Sequence, residues 1–166
     1  MYAIEYESVK HLTLTEFTNY IKNLDGMPIS KLKIQDLIYS KGKRIFPGEG
    51  VYIFRLKDKP YYVGKVSSMS FVERIPKHFD LRHGAWFNRL LTLTVSRHLG
   101  KELSEESINE SAKFAIENLN LILINFENKE GINALESVLR ATLNPLNAYK
   151  RKRDIDFDLT LSTLVL

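Results

Sequence analysis

Two tyrosines near the middle of the chain are the residues best placed for chemistry. Tyr52 and Tyr62 lie ten residues apart, one in each of two short apolar runs, and Gly50 and Gly64 stand beside them. Residues on opposite arms of an antiparallel pair can face each other, so the two phenols are expected to converge, with the glycines admitting another backbone or a ligand. A phenol has a pKa near ~10 and becomes a base at neutral pH only beside a cation or a metal-bound water. A stacked aromatic pair without chemistry is the alternative interpretation.

The spacing of these residues resembles the paired motif of the GIY-YIG nuclease family. The two halves are Gly50-Val51-Tyr52 and Tyr62-Val63-Gly64. The family pattern also includes an Arg on the helix after the hairpin, a Glu on a later helix and an Asn soon after that helix. This chain has Arg74, Glu136 and Asn147 in that order. The resemblance covers roughly residues 48–150 and implies a metal-dependent endonuclease.

Glu136 is the residue that the resemblance assigns to the metal. It lies between Leu135 and Val138 in an amphipathic helix, near the apolar seam. Mg²⁺, or Mn²⁺ in its place, prefers oxygen ligands, and one carboxylate can tether it if water and phosphate oxygens fill the other positions. A lone helical Glu is otherwise an ordinary solvated residue. No His pair with metal-ligand spacing and no cysteine is present, so a zinc site is not expected.

The remaining catalytic residues are also assigned by the resemblance. Arg74 would bind the scissile phosphate through its planar guanidinium, unless it is a surface cation paired with Glu73 or Asp80. Lys65 would contact the phosphate or perturb a neighbouring tyrosine. His78 follows Arg74 by four residues and so shares its helix face, where it would help to activate water or contact DNA.

The family Asn is expected to brace structure rather than react. Asn147 is the first choice and Asn144 the second, and either would hold the end of the helix or the tyrosine strand. Tyr61 precedes Tyr62 and is predicted to point to the opposite face of the hairpin, with a structural role.

Basic residues are placed where they could grip a polyanion. The net charge is +4, which permits such a partner without requiring one. We expect DNA contacts, steeply salt-dependent, from Trp86 and a set of cations; the cations are Lys65, Arg82, Arg89, Lys150, Arg151, Lys152 and Arg153. A charge run is also commonly a solvated face, and its position relative to Tyr52 separates the two interpretations.

Hydrophobic periodicity and breakers predict the supporting elements. The strands are expected over 2–7, over the hairpin arms 51–56 and 61–66, and over the apolar run 119–126. The helices are expected from Thr13 or Thr15 to Leu24, from Ser30 to about Ile38, from Phe71, over 85–99, from Ser104 to Asn118 and over 133–142. The tail 154–166 is predicted to be a final strand or a cap.

These elements predict an α+β fold with a small three-stranded, mainly antiparallel sheet flanked by helices, which the resemblance also implies. We expect residues 1–47 to be an N-terminal helical addition packed on the core, 48–150 to be the nuclease-like core and 151–166 to be a C-terminal tail. The addition would be cladding, a DNA-contacting surface or part of a dimer interface.

Composition sets outer limits on the function. No apolar run reaches the ~18 residues that span a bilayer, and the chain has no cysteine for a disulfide framework. A cytoplasmic location and no membrane partner are therefore expected. Without a visible recognition domain, sequence specificity would come from loops, the N-terminal addition or a homodimer.

Three functions fit these patterns. The first is a restriction-type or repair-type endonuclease that hydrolyses DNA at a single divalent-metal site. The second is a catalytically inactive nucleic-acid-binding module on the same scaffold. The third is a small interaction domain whose tyrosines are only core residues, in which Glu136→Ala would be neutral for every activity.

Overall fold

The computed structural model describes residues 1–82, 84–85, 87–151 and 153–166. It contains both strands and helices, and the predicted α+β class is confirmed. The strands are β1 Ala3–Glu5, β2 Met27–Pro28, β3 Tyr39–Ser40, β4 Lys43–Arg44, β5 Gly50–Leu56, β6 Lys59–Val66 and β7 Leu119–Asn125. The α-helices are α1 Tyr6–Val9, α2 Leu14–Lys22, α3 Phe71–Lys77, α4 Arg89–Leu93, α5 Glu105–Asn118, α6 Ile132–Thr142 and α7 Leu161–Leu164.

The main sheet is mixed and has five strands rather than the three expected. The predicted hairpin, β5 and β6, and the apolar run, β7, form an antiparallel centre in which β5 lies between β6 and β7. On the other side of β7, β1 pairs in parallel and β2 pairs antiparallel. These two strands are only three and two residues long, too short to give an alternating pattern in the sequence. The N-terminal region therefore contributes to the same sheet as the hairpin.

Each face of the sheet carries its own apolar layer. Tyr52, Phe54 and Tyr62 pack on the face that is covered by α3, α4 and α5. Val51, Ile53 and Val63 pack on the opposite face against α2, α6 and α7. This alternation follows from the period of two in a strand. Among the described residues, β6 pairs with β5 alone, so its outer side is an edge of the sheet next to Tyr62.

Tyr61 does not point to the opposite face, and that prediction was wrong. The pairing of β5 with β6 shifts between Phe54 and Arg55, because Phe54 pairs with Tyr62 whereas Arg55 pairs with Pro60. Tyr61 is the extra residue of this β-bulge, and a bulge breaks the strict alternation of side chains. Its ring packs in the same cluster as Tyr62, and its hydroxyl lies 3.0 Å from Thr94 Oγ1. The predicted structural role fits these contacts.

The helix predicted from Ser30 to about Ile38 is absent. Two short 3₁₀ turns, Ile29–Lys31 and Ile34–Leu37, occupy the segment, and Leu32 and Lys33 between them are extended. The apolar residues here do not form one buried face, since Ile34 is 69% exposed. The helix predicted over 85–99 is shorter than expected: α4 begins at Arg89 and continues as a π-helical turn over Thr94–His98.

Three other helices agree with the sequence. Thr13 caps α2, where its Oγ1 accepts a hydrogen bond from Glu16 N–H and its own N–H donates to Glu16 Oε2 at 2.8 Å. The helices α5 and α6 lie within a residue or two of their predicted bounds. The tail is a cap rather than a strand, because Leu14 N–H donates to Leu159 O and Leu161 is fully buried beside α2. No described helix has the length and apolar content needed to cross a membrane.

Arg55 ties the N-terminal region to the hairpin. Its guanidinium is buried and donates to main-chain carbonyls at the end of α2, at 2.6 Å to Ile21 O and 3.0 Å to Lys22 O. Further bonds go to Leu24 O and Asp25 O. These are carbonyls that a helix end leaves without intrahelical partners.

We expect Arg55→Met to lower the free energy of unfolding by about 2–4 kcal/mol, because it leaves several buried carbonyls without a donor. Urea denaturation measures this loss. Arg97→Met is the matched control, since Arg97 is exposed and bonds to only one carbonyl, that of Leu146. Equal losses in the two variants would contradict the role given to Arg55.

Candidate functional site

Tyr52 and His78 form a buried polar pair beneath the tyrosine face of the sheet. The Tyr52 hydroxyl lies 2.6 Å from His78 Nε2, and both side chains are almost completely inaccessible to water. Gly64 lies opposite Tyr52 in the hairpin, and a Cβ there would be 2.6 Å from Cε2 of the Tyr52 ring and closer still to its hydroxyl. A glycine is therefore required at 64 for the Tyr52 ring to reach His78.

Tyr62 joins this pair from the other arm of the hairpin. The Tyr62 and Tyr52 rings each have their centroid 5.3 Å from that of His78. Tyr62 pairs with Phe54 and Tyr52 with Gly64, so the two tyrosines are diagonal neighbours on one face. The two phenols thus meet at His78, as their spacing predicted.

His78 is held as a neutral imidazole. Burial lowers the pKa of His78 well below its usual 6.5, and the nearby charge of Arg74 lowers it further. Within the described part of the chain, His78 Nδ1 is buried without a hydrogen-bond partner. A neutral imidazole has one donor nitrogen and one acceptor nitrogen. The hydrogen bond between Tyr52 Oη and His78 Nε2 therefore contains one proton, and the tautomer of His78 decides which atom donates it.

Both phenols are protonated at neutral pH in the free protein. Burial raises the pKa of Tyr52, and the neighbouring Tyr62 raises it further. Burial also raises the pKa of Tyr62, although the positive charges of Arg74, Arg89 and Arg140 partly offset the effect. The phenols act as hydrogen-bonding groups in this state and not as bases.

Arg74 reaches this site from α3. Ser70 begins the helix, and its N–H donates to Glu73 Oε2 at 2.7 Å, so Glu73 serves as a cap. Asp80 binds Arg82, which lowers the pKa of that carboxyl to about 2. Neither predicted acidic partner of Arg74 is therefore paired with it. The Arg74 guanidinium lies 5.1 Å from the Phe87 ring centroid and donates to Phe87 O at 3.3 Å.

Glu136 approaches from the opposite face of the sheet, on α6. Its side chain is 8% exposed, although most of α6 around it buries only apolar residues. One oxygen, Oε1, accepts a hydrogen bond from Arg140 Nη1 at 3.1 Å. The other, Oε2, is 4.0 Å from Nζ of Lys65 on β6. The negative charge of Glu136 also raises the pKa of Tyr52 and of Tyr62, as the smallest of the causes in each case.

Arg140 belongs to the site, and the sequence analysis did not include it. Besides Glu136, its Nε donates to Asn147 O at 2.8 Å, and its guanidinium lies 4.1 Å from the centroid of the Tyr149 ring. The available signal was the spacing of Glu136 and Arg140, since residues four apart on a helix are neighbours. Arg140 links the candidate metal carboxylate to the segment after α6.

Asn147 braces the tyrosine strand, which was one of its two predicted roles. Its Oδ1 accepts from Val63 N–H at 3.1 Å and its Nδ2 donates to Val63 O at 2.6 Å. These bonds satisfy the outward-facing backbone groups of an edge strand next to Tyr62. Asn144 is exposed, with a left-handed φ of 51° after α6, and is placed for a turn and not for this bond. The geometry favours Asn147 over Asn144.

The basic tail lies on the α6 side of the cluster. Arg153 Nη1 donates to Ser137 Oγ at 3.0 Å, and the Arg153 guanidinium lies 5.5 Å from the Tyr149 ring centroid. Lys150 and Arg151 are exposed. The contact of Arg153 is therefore with α6, on the face of the sheet opposite the one that carries Tyr52, and DNA binding by this run stays a prediction. Lys152 and Trp86, both predicted to contact DNA, lie outside the described residues.

The other predicted phosphate ligands differ in their surroundings. Arg89 is exposed at the start of α4, and its charge reaches Tyr62. Arg82 is also exposed, but its guanidinium is engaged by Asp80, with Nε 2.9 Å from Oδ1. Arg89 is therefore the better placed of the two for a phosphate near the tyrosines.

The residues of this site suit a hard cation such as Mg²⁺, most of whose ligands would be water or substrate oxygens and not protein side chains. In the ranges that the structure describes, no three or more carboxylate or imidazole groups cluster as a metal site. Glu136 supplies one carboxylate, of which Arg140 bonds only Oε1. Mg²⁺ commonly keeps several waters and takes one or two protein carboxylates, so a single-carboxylate site fits these residues.

Comparisons of the whole chain with protein-family models, curated proteins and solved structures give no match. The resemblance to the GIY-YIG family therefore stands on the residues of the motif. Their arrangement places two phenols, a neutral imidazole and a guanidinium on one face of the hairpin, and a carboxylate beside an ammonium group on the other.

We expect the wild-type protein to lose stability on acidification because of His78. The pKa of His78 is lower in the folded chain than in the unfolded chain, so on acidification the unfolded chain takes up a proton at His78 before the folded chain does. The folded state is therefore progressively destabilised relative to the unfolded state as the pH falls below 6.5. From pH 7.5 to 5.5, wild type should lose about 1.4 kcal/mol more unfolding free energy than His78→Gln. Urea denaturation at each pH measures the difference. His11→Gln, at an exposed site, is the control, and a pH dependence unchanged in His78→Gln would contradict the buried neutral imidazole.

Proposed function

We propose that this chain is a metal-dependent endonuclease that hydrolyses DNA phosphodiester bonds at a single divalent-metal site. One observation carries the proposal: the groups such a reaction needs come together from four separate elements, β5, β6, α3 and α6. Arg74 and Glu136 are 62 residues apart and lie on helices that cover opposite faces of the sheet. A mostly buried carboxylate on a helix that packs against the tyrosine hairpin is a feature typical of functional sites.

Glu136 would hold Mg²⁺ or Mn²⁺, with water and substrate oxygens as the other ligands. When bound, the metal would stabilise charge on the phosphoryl oxygens and make a bound water more acidic. Arg140 holds Oε1 of Glu136 and leaves Oε2 facing only the loosely placed Lys65. Arg140 therefore orients the Glu136 carboxylate through one oxygen, and the other oxygen is the one that would bind a metal ion.

Arg74 and Lys65 would bind the scissile phosphate from two sides. Arg74 lies on the tyrosine face and has no acidic partner among the described residues. Its planar fork can bind two phosphoryl oxygens, and charge on those oxygens grows in the transition state. Lys65 is 40% exposed and lies beside Glu136, so its ammonium group can reach an oxygen on the metal side.

Tyr52 would orient the attacking water, and His78 would hold the Tyr52 hydroxyl in place. The phenol is protonated in the free protein, so it first acts as a donor or orienting group. Burial and the charge of Arg74 make His78 a poor proton acceptor, so its hydrogen bond would position Tyr52 and not remove its proton. The approach of a cation near Tyr52 would lower the pKa of the phenol, which could then lose its proton to solvent and accept one from the attacking water. Tyr62 would orient the water or the phosphate from the adjacent position.

DNA would be gripped around this centre by Arg89, Lys150, Arg151 and Arg153. Phosphate contacts of this kind position the duplex without reading its sequence. A homodimer would place two such sites on the two strands, which a restriction-type enzyme requires for a double-strand cut.

The inactive nucleic-acid-binding module remains the alternative, and one observation favours it. Arg140 and Lys65 already balance the charge of Glu136 without a metal ion. In such a module Glu136 would serve as an ion-pair partner that holds α6 against the hairpin. Binding without cutting is the outcome that this alternative predicts.

Glu136→Gln should lower the rate of metal-dependent cutting by at least about 10²-fold, because the amide has nearly the same shape but is a much weaker metal ligand. The measurement is nicking and linearisation of supercoiled plasmid in Mg²⁺ or Mn²⁺. Glu117→Gln, at an exposed position on α5, is the matched control and should cut like wild type.

Equal cutting by wild type and Glu136→Gln would reject this carboxylate as the ligand. No cutting by wild type on plasmid and on branched DNA, with DNA binding retained, would support the inactive module instead. Discrete fragments from wild type would indicate a restriction-type enzyme.

A further inference from the structure

A small cationic β-ribbon projects from the N-terminal side of the hairpin. The strands β3 and β4 pair antiparallel, with Tyr39 opposite Arg44 and Ser40 opposite Lys43. Lys41 and Gly42 form the two-residue turn, with φ of 51° and 75°. Positive φ at both positions is typical of a type I′ turn, whose twist matches the two strands. The ribbon is thus a defined structure and not an irregular loop.

The ribbon exposes positive and aromatic groups together. Lys41, Lys43 and Arg44 are exposed, and residues 37–48 contain no Asp or Glu. Phe46 follows the ribbon and is 65% exposed, and the Arg44 guanidinium lies 5.0 Å from its ring centroid. This cation–π contact holds the Arg44 guanidinium on the exposed surface of the ribbon.

The base of the ribbon is fixed to the elements of the candidate active site. Gly48 N–H donates to Asn125 Oδ1 at 3.1 Å, and Phe71 N–H donates to Gly48 O at 2.8 Å. Phe71 is the first residue of α3, the helix of Arg74 and His78, and the chain enters β5 two residues after Gly48. The ribbon is therefore held in a set position relative to the proposed cutting site.

The ribbon and the basic tail lie on different sides of the sheet. Ile45 anchors the ribbon in the apolar layer that contains α3, and its N–H donates to Ile38 O at 2.7 Å. The tail instead contacts Ser137 on α6, which packs on the other face. Cations thus flank the end of the hairpin from both faces.

We propose that the ribbon, residues 39–46, binds duplex DNA beside the cutting site, with Lys41, Lys43 and Arg44 on phosphates. The inference rests on the proposed function in that it takes DNA as the substrate. Charge complementarity identifies the partner, and a two-stranded ribbon fits the major groove of B-DNA, which is about 12 Å wide. The tail would hold the duplex from the other side of the site.

The test is a triple variant with Lys41→Asn, Lys43→Gln and Arg44→Gln. Asn tolerates the positive φ at 41, so the turn is preserved. The control is Lys22→Gln, Lys59→Gln and Lys113→Gln, which removes the same charge from three exposed positions outside the ribbon. Binding to a fluorescein-labelled 30-base-pair duplex is followed by anisotropy, in EDTA and across a range of NaCl concentrations.

The ribbon variant should show a salt slope, d log K/d log[NaCl], smaller in magnitude by about 2–3, since each phosphate contact contributes about 0.9. The control should keep the wild-type slope. The ribbon variant should also lose most of the preference of wild type for the duplex over one of its single strands. Circular dichroism melting confirms that both variants are folded.

An unchanged slope in the ribbon variant, or an equal change in the control, would overturn the proposal. Wild type binding the single strand as tightly as the duplex would overturn the choice of partner. If wild type cuts plasmid while the ribbon variant keeps its slope, only the ribbon is rejected. If wild type binds no DNA at all, the proposed function fails as well.

Discussion

The hydrogen bond between Tyr52 and His78 is the constraint on which the site depends. Both polar side chains lie in an apolar layer, where a donor or acceptor without a hydrogen bond would destabilise the folded state by about 1–3 kcal/mol. The hydrogen bond between them avoids this cost. Gly64 makes the bond possible by leaving room for the Tyr52 ring over β6. Because His78 ends α3, the same bond fixes the helix that carries Arg74 against the hairpin.

The edge strand β6 brings together groups from the two faces of the sheet. Tyr62 faces the layer with α3, whereas Val63 and Lys65 face α6. An edge strand has free backbone groups, and Asn147 uses them by bonding both the N–H and the C=O of Val63. The segment after α6 is thereby held on the strand, and Arg140 connects it to Glu136. Glu136 is thereby held beside Lys65 on one face of the strand that carries Tyr62 on its other face.

The sequence predicted the parts of this arrangement that depend on local patterns. Alternation, helical spacing, turn residues and candidate N-caps located the hairpin, α2, α5 and α6, because these signals act within a few residues. The period of two placed Tyr52 and Tyr62 on one face. The bulge at Tyr61 was not predictable in the same way, because it is a property of the pairing between strands and leaves no pattern in either one.

Non-local contacts explain the other differences. β1 and β2 are too short to show alternation. They form by pairing with the backbone groups of β7 on the side that β5 does not occupy. The segment 30–38 has helix-like spacing, yet tertiary packing divides it into 3₁₀ turns. Arg140 could have been noticed from its spacing to Glu136, but its bonds to Asn147 and Tyr149 depend on how the chain turns after α6. The burial of His78, which makes it neutral, follows only from the packing of α3.

The central claim is that these residues form a centre that binds one divalent metal ion through Glu136. Electron paramagnetic resonance of Mn²⁺ in the presence of a non-cleavable duplex measures this binding without depending on turnover. The account predicts one bound Mn²⁺ for each chain of the wild-type protein and a large loss of binding in Glu136→Gln. No bound Mn²⁺, or equal binding by the two proteins, would contradict it.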